Sequence, residues 1–551
     1  IREIKIDPVV RLYYVEVEPP KMEDPTSDLR RLLKALEAEW GLQKIKVPHS
    51  ILEMLQPTLR EGKWKVTVAV DHDGIMRGIW ADFREHLYGI AVDIGSTTLA
   101  AHLCELGSGE VLSSAGMMNP QIRFGEDLMS RVSYVMLNQD GEKELTKSVR
   151  EALNQLSLEV CEQAGIQKEE VMEMVMVGNP VMHHLVHGIN PVELGGAPFA
   201  LATDEAIITP ASELDLELHQ LARTYTLPCI AGHVGADTAA MVLAEAPHHQ
   251  EAITLLVDVG TNAEIVLGNR DRLLAASSPT GPAFEGAQIS SGQRAAPGAV
   301  ERVRIDPKTL EPRFRVIGSE CWSDDVSFAE ETKKTGVTGI CGSGIIEAIA
   351  ELYLCGIISQ DGLFDESMMG RSNRIIKEGR TCSYLLHKGE PELRITQNDI
   401  RAIQLAKAAL YAGIRLLMDH LGIEEVQRIR LAGAFGSHID VKYAMILGLI
   451  PDCDLDHVSS AGNAAGTGAR MALLNHESRR EIEETVREIE KVETAVEPAF
   501  QQHFVDAMAI PHKHAPSTHL QKTVSLPEAK NNAQGNGDSS SRRRRSKRVV
   551  A

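Results

Sequence analysis

The sequence predicts an α/β fold: two duplicated subdomains facing each other across a cleft, preceded by a linker and a small α+β domain. Three observations carry that expectation. First, YGIAVDIGSTTLAAHL (88–103) and TLLVDVGTNAEIVLG (254–268) repeat one pattern of apolar strand, Asp, apolar residue, Gly, hydroxyl residue and second apolar strand. Asp93 and Asp258 stand 165 residues apart, a spacing that suits duplicated α/β subdomains rather than a solenoid. Second, residues before Tyr88 have a different texture from those after it. Third, 551 residues exceed what one hydrophobic core serves, so several domains are expected.

Residues 1–20 alternate apolar and polar through IREIKI and RLYYVEVE, end at Pro19-Pro20, and are expected to be a linker. Residues 21–86 read as the small α+β domain, with a helix from Asp28 (LRRLLKALEAEW), a short helix at Ile51–Leu55 and the strand WKVTVAV at 64–70. Short buried strands, glycine turns and amphipathic helices then run from 87 to 512, the second lobe starting near 252. Residues 513–551 are rich in Ser, Asn, Gly and Arg and are expected to form a disordered basic tail. The chain opens on Ile1 and enters strand-like sequence at once, which leads us to expect a preceding segment.

Composition excludes several classes. Charged residues are 24% and the formal net charge is −20, which argues against a general binder of nucleic acid or anionic membrane. No apolar run approaches the roughly 18 residues of a membrane span. The closest two of the eight cysteines, Cys341 and Cys355, are 14 residues apart, so there is no C-x-x-C site and no disulfide framework is expected. A reducing cytoplasm is the expected location. There is no G-x-x-x-x-G-K-[ST] phosphate loop.

The chemistry is expected in the two hairpins. After Asp93 the chain turns at Gly95, and Ser96, Thr97 and Thr98 offer hydroxyls and successive backbone N–H groups, an anion-binding concavity. Asp258, Gly260, Thr261 and Asn262 repeat the arrangement. An Asp beside such a turn can hold Mg²⁺ through water. A third cluster in IRLAGAFGSHID (429–440) places Gly433, Ala434, Phe435 and Gly436 after a short strand, where small residues admit a flat ligand such as a purine. GVTGICGSGIIEAIAELYL (336–354) and GNAAGTGARMALL (462–474) put small residues on helices that can pack closely, as a hinge between lobes requires. Asp237, in GADTAA, is read either as a further cleft carboxylate or as a helix cap.

These motifs, in this order, resemble the sugar kinase, Hsp70 and actin ATPases (the ASKHA superfamily), whose lobes are RNase H-like. Within it the sequence looks most like the ATP-dependent reductive activators of corrinoid proteins. That likeness rests on residues 20–32, GNPVMHHLVHGI (178–189), AGHVGADTAA (231–240), SSPTGPAFEGAQISSG (277–292) and PAFQQHFVDAMAIPH (498–512). The resemblance implies an ATPase that helps a low-potential electron donor return a partner's cobalt(II) corrinoid to cobalt(I). The partner would be a corrinoid protein or a corrinoid-dependent methyltransferase, and a homodimer is implied. It also implies ATP and Mg²⁺ as ligands; from the paired loops, Asp93 and Asp258 are expected to hold Mg²⁺ through water, and one of these two catalytic aspartates, Asp258 in preference to Asp93, to orient the attacking water. Family members carry an N-terminal [2Fe-2S] ferredoxin-like domain; no C-x₄-C-x₂-C pattern occurs here, so no cluster is expected in these residues.

Two other readings share the fold. One is an activator of 2-hydroxyacyl-CoA dehydratases, with Cys341 as a possible ligand of a cluster shared between subunits. The other is an ATP-switched scaffold or chaperone without a redox role. His183, His184 and His187 are read as core rather than metal ligands, and Met172, Met174 and Met176 as a buried strand. The polar knot Asp452, Cys453, Asp454, Asp456 and His457 is read as a solvated loop, and the basic run Arg542–Arg545 with Lys547 and Arg548 is given no partner.

Overall fold

The structure is a computed structural model and describes residues 2–528. Strands β1 (Val10–Glu16), β2 (Lys65–Asp71) and β3 (Met76–Ala81) form an antiparallel sheet in that order. Helices Asp28–Trp40 and His49–Glu61 pack on it. The first is capped by the Ser27 hydroxyl, which accepts from the Arg30 N–H, and ends at Gly41 in the left-handed region. The second buries Ile51, Leu55 and Leu59, one residue per turn along a single face. Strand β1 pairs with β2 along its whole length, with Val10 and Val15 buried, so residues 10–16 are part of this sheet rather than a free linker.

The first lobe contains β4 (Tyr88–Ile94), β5 (Thr98–Glu105), β6 (Val111–Met118), β7 (Val171–Gly178), β8 (Ile207–Pro210) and β9 (Arg223–Thr226). Their spatial order is β6-β5-β4-β7-β9-β8, with β4, β5 and β6 antiparallel and β7 and β9 parallel to β4. All of β7 is buried, including Met172, Met174 and Met176, because helices cover both faces of this central strand.

The second lobe repeats the plan. Strands β10 (Thr254–Val259), β11 (Ala263–Gly268) and β12 (Leu273–Ser278) are antiparallel, and Arg428–Ala432 and then Val458–Gly462 add parallel strands on the far side of β10. The duplication seen in sequence is thus a duplication of sheets. Two three-stranded sheets elaborate this lobe.

Helix Ala236–Glu245 packs directly against helix Ala464–Leu474. A Cβ on Gly468 would stand 2.0 Å from the Ala240 carbonyl oxygen, so only glycine allows this approach. The GICGSG helix, Gly342–Leu354, is not part of that pair. Its small residues let it lie against the strand Ala299–Ile305 inside the second lobe. The close-packed pair therefore joins GNAAGTG to GADTAA, which corrects the pairing expected from sequence.

At the C-terminal end, helix Ala499–Ala507 packs on the long helix Gln397–Leu421. The buried Lys407 ammonium donates to the carbonyls of Ala507, Ala509 and Pro511 at 2.5, 2.5 and 3.0 Å. Residues 513–528 continue along the body: Leu520 is buried, and the Asp452 carboxylate accepts from the N–H groups of His519 and Leu520. Residues 513–528 therefore belong to the body rather than to the expected tail, with Asp452 anchoring them, and residues 529–551 of that tail lie outside the described residues. The basic run 542–548 lies outside the described residues.

Candidate nucleotide site

Strands β4 and β10 each carry an aspartate, Asp93 and Asp258, as the last residue but one, at the cleft between the lobes. The cleft has a volume of about 570 Å³. Asp93, Gly95, Ser96, Thr97 and Thr98 line it from one hairpin, and Asp258, Gly260, Thr261 and Asn262 from the other. Gly433 and Ala434 also line it. Phe435 and Gly436 do not: the Phe435 ring packs on Phe284, centroids 5.4 Å apart, and Gly436 lies against the Leu431 backbone. The third motif thus supplies two small residues to the cleft and two to the core beneath it.

The backbone of each hairpin is held from behind. In the first, the Asn119 side chain donates to the Gly95 carbonyl at 2.9 Å, the Arg131 guanidinium to the Ser96 carbonyl, and the Asn119 N–H to the Thr97 carbonyl at 2.8 Å. In the second, the Thr280 hydroxyl donates to the carbonyls of Gly260 and Thr261 at 2.9 and 3.1 Å, and the Gly281 N–H to the Thr261 carbonyl at 2.8 Å. A trans peptide points its N–H opposite its carbonyl. The N–H groups of Ser96, Thr97, Thr261 and Asn262 have no acceptor among the described residues and can serve an anion in the cleft.

Four carboxylates converge beside these loops, with no cation within ion-pair distance among the described residues. Burial raises Asp93 to about 8, helped by the charges of Asp237 and Asp258. Burial, followed by the Asp258 charge, raises Asp237 to about 7 against the hydrogen bond it accepts from the Thr238 N–H. Asp258 is raised by burial to about 6. Glu264 is held well above the usual carboxylate range by burial and by Asp237 and Asp258. Such an uncompensated set of hard oxygen donors fits a Mg²⁺ ion.

Asp237 belongs to the first turn of helix Ala236–Glu245 without capping it, and it lines the cleft. Glu264 was not singled out in the sequence. It is paired across the hairpin with Asp258, where the first hairpin has Ala100 opposite Asp93. That register is the signal that could have found it.

The other clusters lie outside the cleft lining, and two of their buried nitrogens, His183 Nε2 and His248 Nδ1, have no hydrogen-bond partner among the described residues. His183, His184 and His187 lie in or beside the buried helix Pro180–Val186, and burial lowers them to about 3, 4 and 4. Among the described residues two groups of two histidines and one carboxylate occur, Asp7–His72–His476 and His248–His249–Glu481. In each the carboxylate is already neutralised by an arginine, Arg11 and Arg2 respectively. Cys341 is 2% exposed, with its thiol bonded to the Val300 carbonyl, so it presents no ligand to a cluster between subunits.

Two repeated lobes, a hairpin from each at one cleft and a close-packed helix pair between them define an actin-like ATPase of the ASKHA type. Family comparison carries this further. Residues 1–86 match the RACo linker region, 88–250 the RACo middle region, and 252–521 the C-terminal domain of RACo, the ASKHA domain. The corrinoid activation enzyme RamQ of Eubacterium limosum is 33% identical, over 91% of this chain and 83% of its own. The [Co(II) methylated amine-specific corrinoid protein] reductase of Methanosarcina barkeri is 27% identical over 73% of each. A solved reductive activator for corrinoid, iron-sulfur protein superposes with a TM-score of 0.80 at 34% identity, over 93% of this chain and 81% of that one. The chain belongs to the RACo family, the reductive activators of corrinoid proteins.

Proposed function

We propose that this chain uses ATP to drive the return of a partner protein's corrinoid cobalt from the cobalt(II) to the cobalt(I) state. The observation that carries the reading is the family match from residue 1 to 521 over a cleft in which both hairpins are complete. The partner is a corrinoid protein or a corrinoid-dependent methyltransferase, and the acting form is a cytoplasmic homodimer. No helix among the described residues is long and apolar enough to cross a membrane.

The free N–H groups of the two loops hold the phosphates, and Gly433 and Ala434 leave room for the adenosine. Asp93, Asp237, Asp258 and Glu264 would hold Mg²⁺, which neutralises phosphate charge when bound. Asp258, the least elevated of the three aspartates, orients the attacking water. Phosphoryl transfer needs mainly positioning and charge stabilisation, and two preset loops supply both.

The cysteines do not fit a [2Fe-2S] cluster, since no group of metal-binding side chains among the described residues includes one. The electron would come from a low-potential donor bearing a ferredoxin-like [2Fe-2S] group. The dehydratase-activator reading loses its ligand with the burial of Cys341.

Calorimetric titration of Mg-ATP into the chain and into Asp93→Ala and Asp258→Ala tests the cleft. Binding by the wild type, at least tenfold weaker in each variant, is expected. The same proteins, a cobalt(II) corrinoid protein and titanium(III) citrate then test the reaction. Cobalt(I) absorbance rising faster with ATP, and only with wild type, is expected; equal rates without ATP would end the proposal.

A further inference from the structure

Arg131 is a charged group built into the back of the first phosphate loop. It lies on helix Leu128–Leu137, whose N-cap Asp127 lines the cleft, and is 0% exposed. Its Nη2 donates to the Ser96 carbonyl, its Nε to the Gly125 carbonyl at 3.1 Å, and its Nη1 to Gln121 Oε1 at 3.3 Å and Met182 Sδ at 3.4 Å. Every acceptor is neutral, and no carboxylate lies within ion-pair distance of it among the described residues; the only charge acting on it is that of Asp127, the N-cap of its own helix, from farther off. A buried guanidinium without a directly paired counter-ion is costly. The other buried arginines among the described residues, Arg31, Arg77, Arg430 and Arg479, each pair with a carboxylate: Asp24, Glu173, Glu245 and Glu173. The second hairpin achieves the same carbonyl restraint with the neutral Thr280 hydroxyl, so restraint alone does not call for a cation.

From this geometry we infer that Arg131 is a positioning residue for the nucleotide's polyphosphate. It draws back the Ser96 carbonyl so that the Thr97 N–H faces the cleft, and it leaves a fixed positive charge behind the loop whose counter-ion is the bound phosphate chain. The anion served is a polyphosphate rather than the nucleoside, because the contact is to the phosphate loop and not to Gly433 or Ala434. The inference rests on the cleft being the ATP site. It assigns the charge balance of the cleft to two sources: the carboxylates attract the metal and Arg131 attracts the phosphates. The cleft lining carries six carboxylates, Asp93, Asp127, Asp237, Asp258, Glu264 and Glu285, and with no cation it would repel the anion it is meant to hold.

The test uses the full chain and calorimetric titrations with Mg-ATP, Mg-ADP and adenosine. Three variants are compared with wild type: Arg131→Lys, Arg131→Met and Gln121→Glu. Gln121→Glu leaves Arg131 and its Ser96 contact in place while setting a carboxylate beside Nη1. The variant gains an ion pair and loses the donor from Gln121 Nε2 to the Leu145 carbonyl, so urea unfolding of each variant accompanies the titrations and only folded variants are compared. Expected is an ATP affinity at least about tenfold weaker in Gln121→Glu and Arg131→Met, about 1.4 kcal/mol. Adenosine affinity stays unchanged, and Arg131→Lys retains part of the ATP affinity. A merely structural role would weaken adenosine and ATP alike, or leave Gln121→Glu at wild-type affinity, and either result overturns the inference. No ATP binding by folded wild type would instead overturn the assignment of the cleft.

Discussion

Gly433 has φ near +79°, and a Cβ built there would stand 2.3 Å from Asp258 Oδ1. The glycine therefore lets the backbone close down on a carboxylate that must stay where it is. Gly433→Ala is expected to cost roughly 1 kcal/mol of stability from left-handed backbone strain. It should also lower Mg-ATP affinity at least tenfold by displacing Asp258, which calorimetry and urea unfolding together would show. Loss of stability with unchanged affinity would mean that Asp258 does not meet the nucleotide. The aspartates and loop residues were legible in sequence because the motif writes its chemistry in a row: strand, Asp, Gly, hydroxyl. Arg131 and Glu264 were not. Each reaches the site through packing or cross-strand register, and neither has a neighbour in sequence that marks it.

Helix Pro180–Val186 shows how an element can be read for class and still hold an unseen detail. All seven of its residues are buried, as HHLVH taken as core implied. Its histidines are locked as neutral tautomers. His184 Nε2 accepts from the Ala202 N–H at 3.0 Å, so its proton is on Nδ1 and points at His183 Nδ1, 3.0 Å away. Protonating His183 would set two N–H groups against each other in a buried site. For His184 the folded value is about 4, below the unfolded value of about 6.5, so between these the unfolded chain binds the extra proton. Its share of stability is full above pH 6.5 and is lost as pH falls towards 4, up to about 3 kcal/mol. In urea unfolding at a series of pH values, His184→Gln should flatten the decline between pH 6.5 and 4; an unchanged slope would show that this pair does not set the acid limit. The helix pair between the lobes was harder to read. GICGSG and GNAAGTG share a composition, and only the fold shows that the first serves its own lobe's strand while the second meets GADTAA.

At the scale of the molecule, one chain of contacts links the cleft to the N-terminal sheet. Helix Ala464–Leu474 begins at the cleft, where Ala465 is in the lining, and passes through Asn475 into helix His476–Glu488. From there Arg479 reaches Glu173 Oε2 at 3.2 Å on β7, and Glu173 Oε1 accepts from Arg77 on β3 at 2.9 Å. All three side chains are buried. Breaking such a network by removing its shared anion costs about 3–5 kcal/mol, because it strands the guanidinium of Arg479. If lobe closure on ATP moves the close-packed helices, this network is the route by which residues 1–86 sense it, since packed elements with two arrangements carry coupling. The prediction is read by hydrogen exchange. In wild type, Mg-ATP should slow exchange both in the two hairpins and in β2 and β3. In Glu173→Gln the hairpins should remain protected by ATP while the added protection of β2 and β3 disappears. Protection of β2 and β3 that survives in the variant would show that the N-terminal sheet follows the nucleotide by another route, and equal exchange with and without ATP in wild type would show that it does not follow it at all.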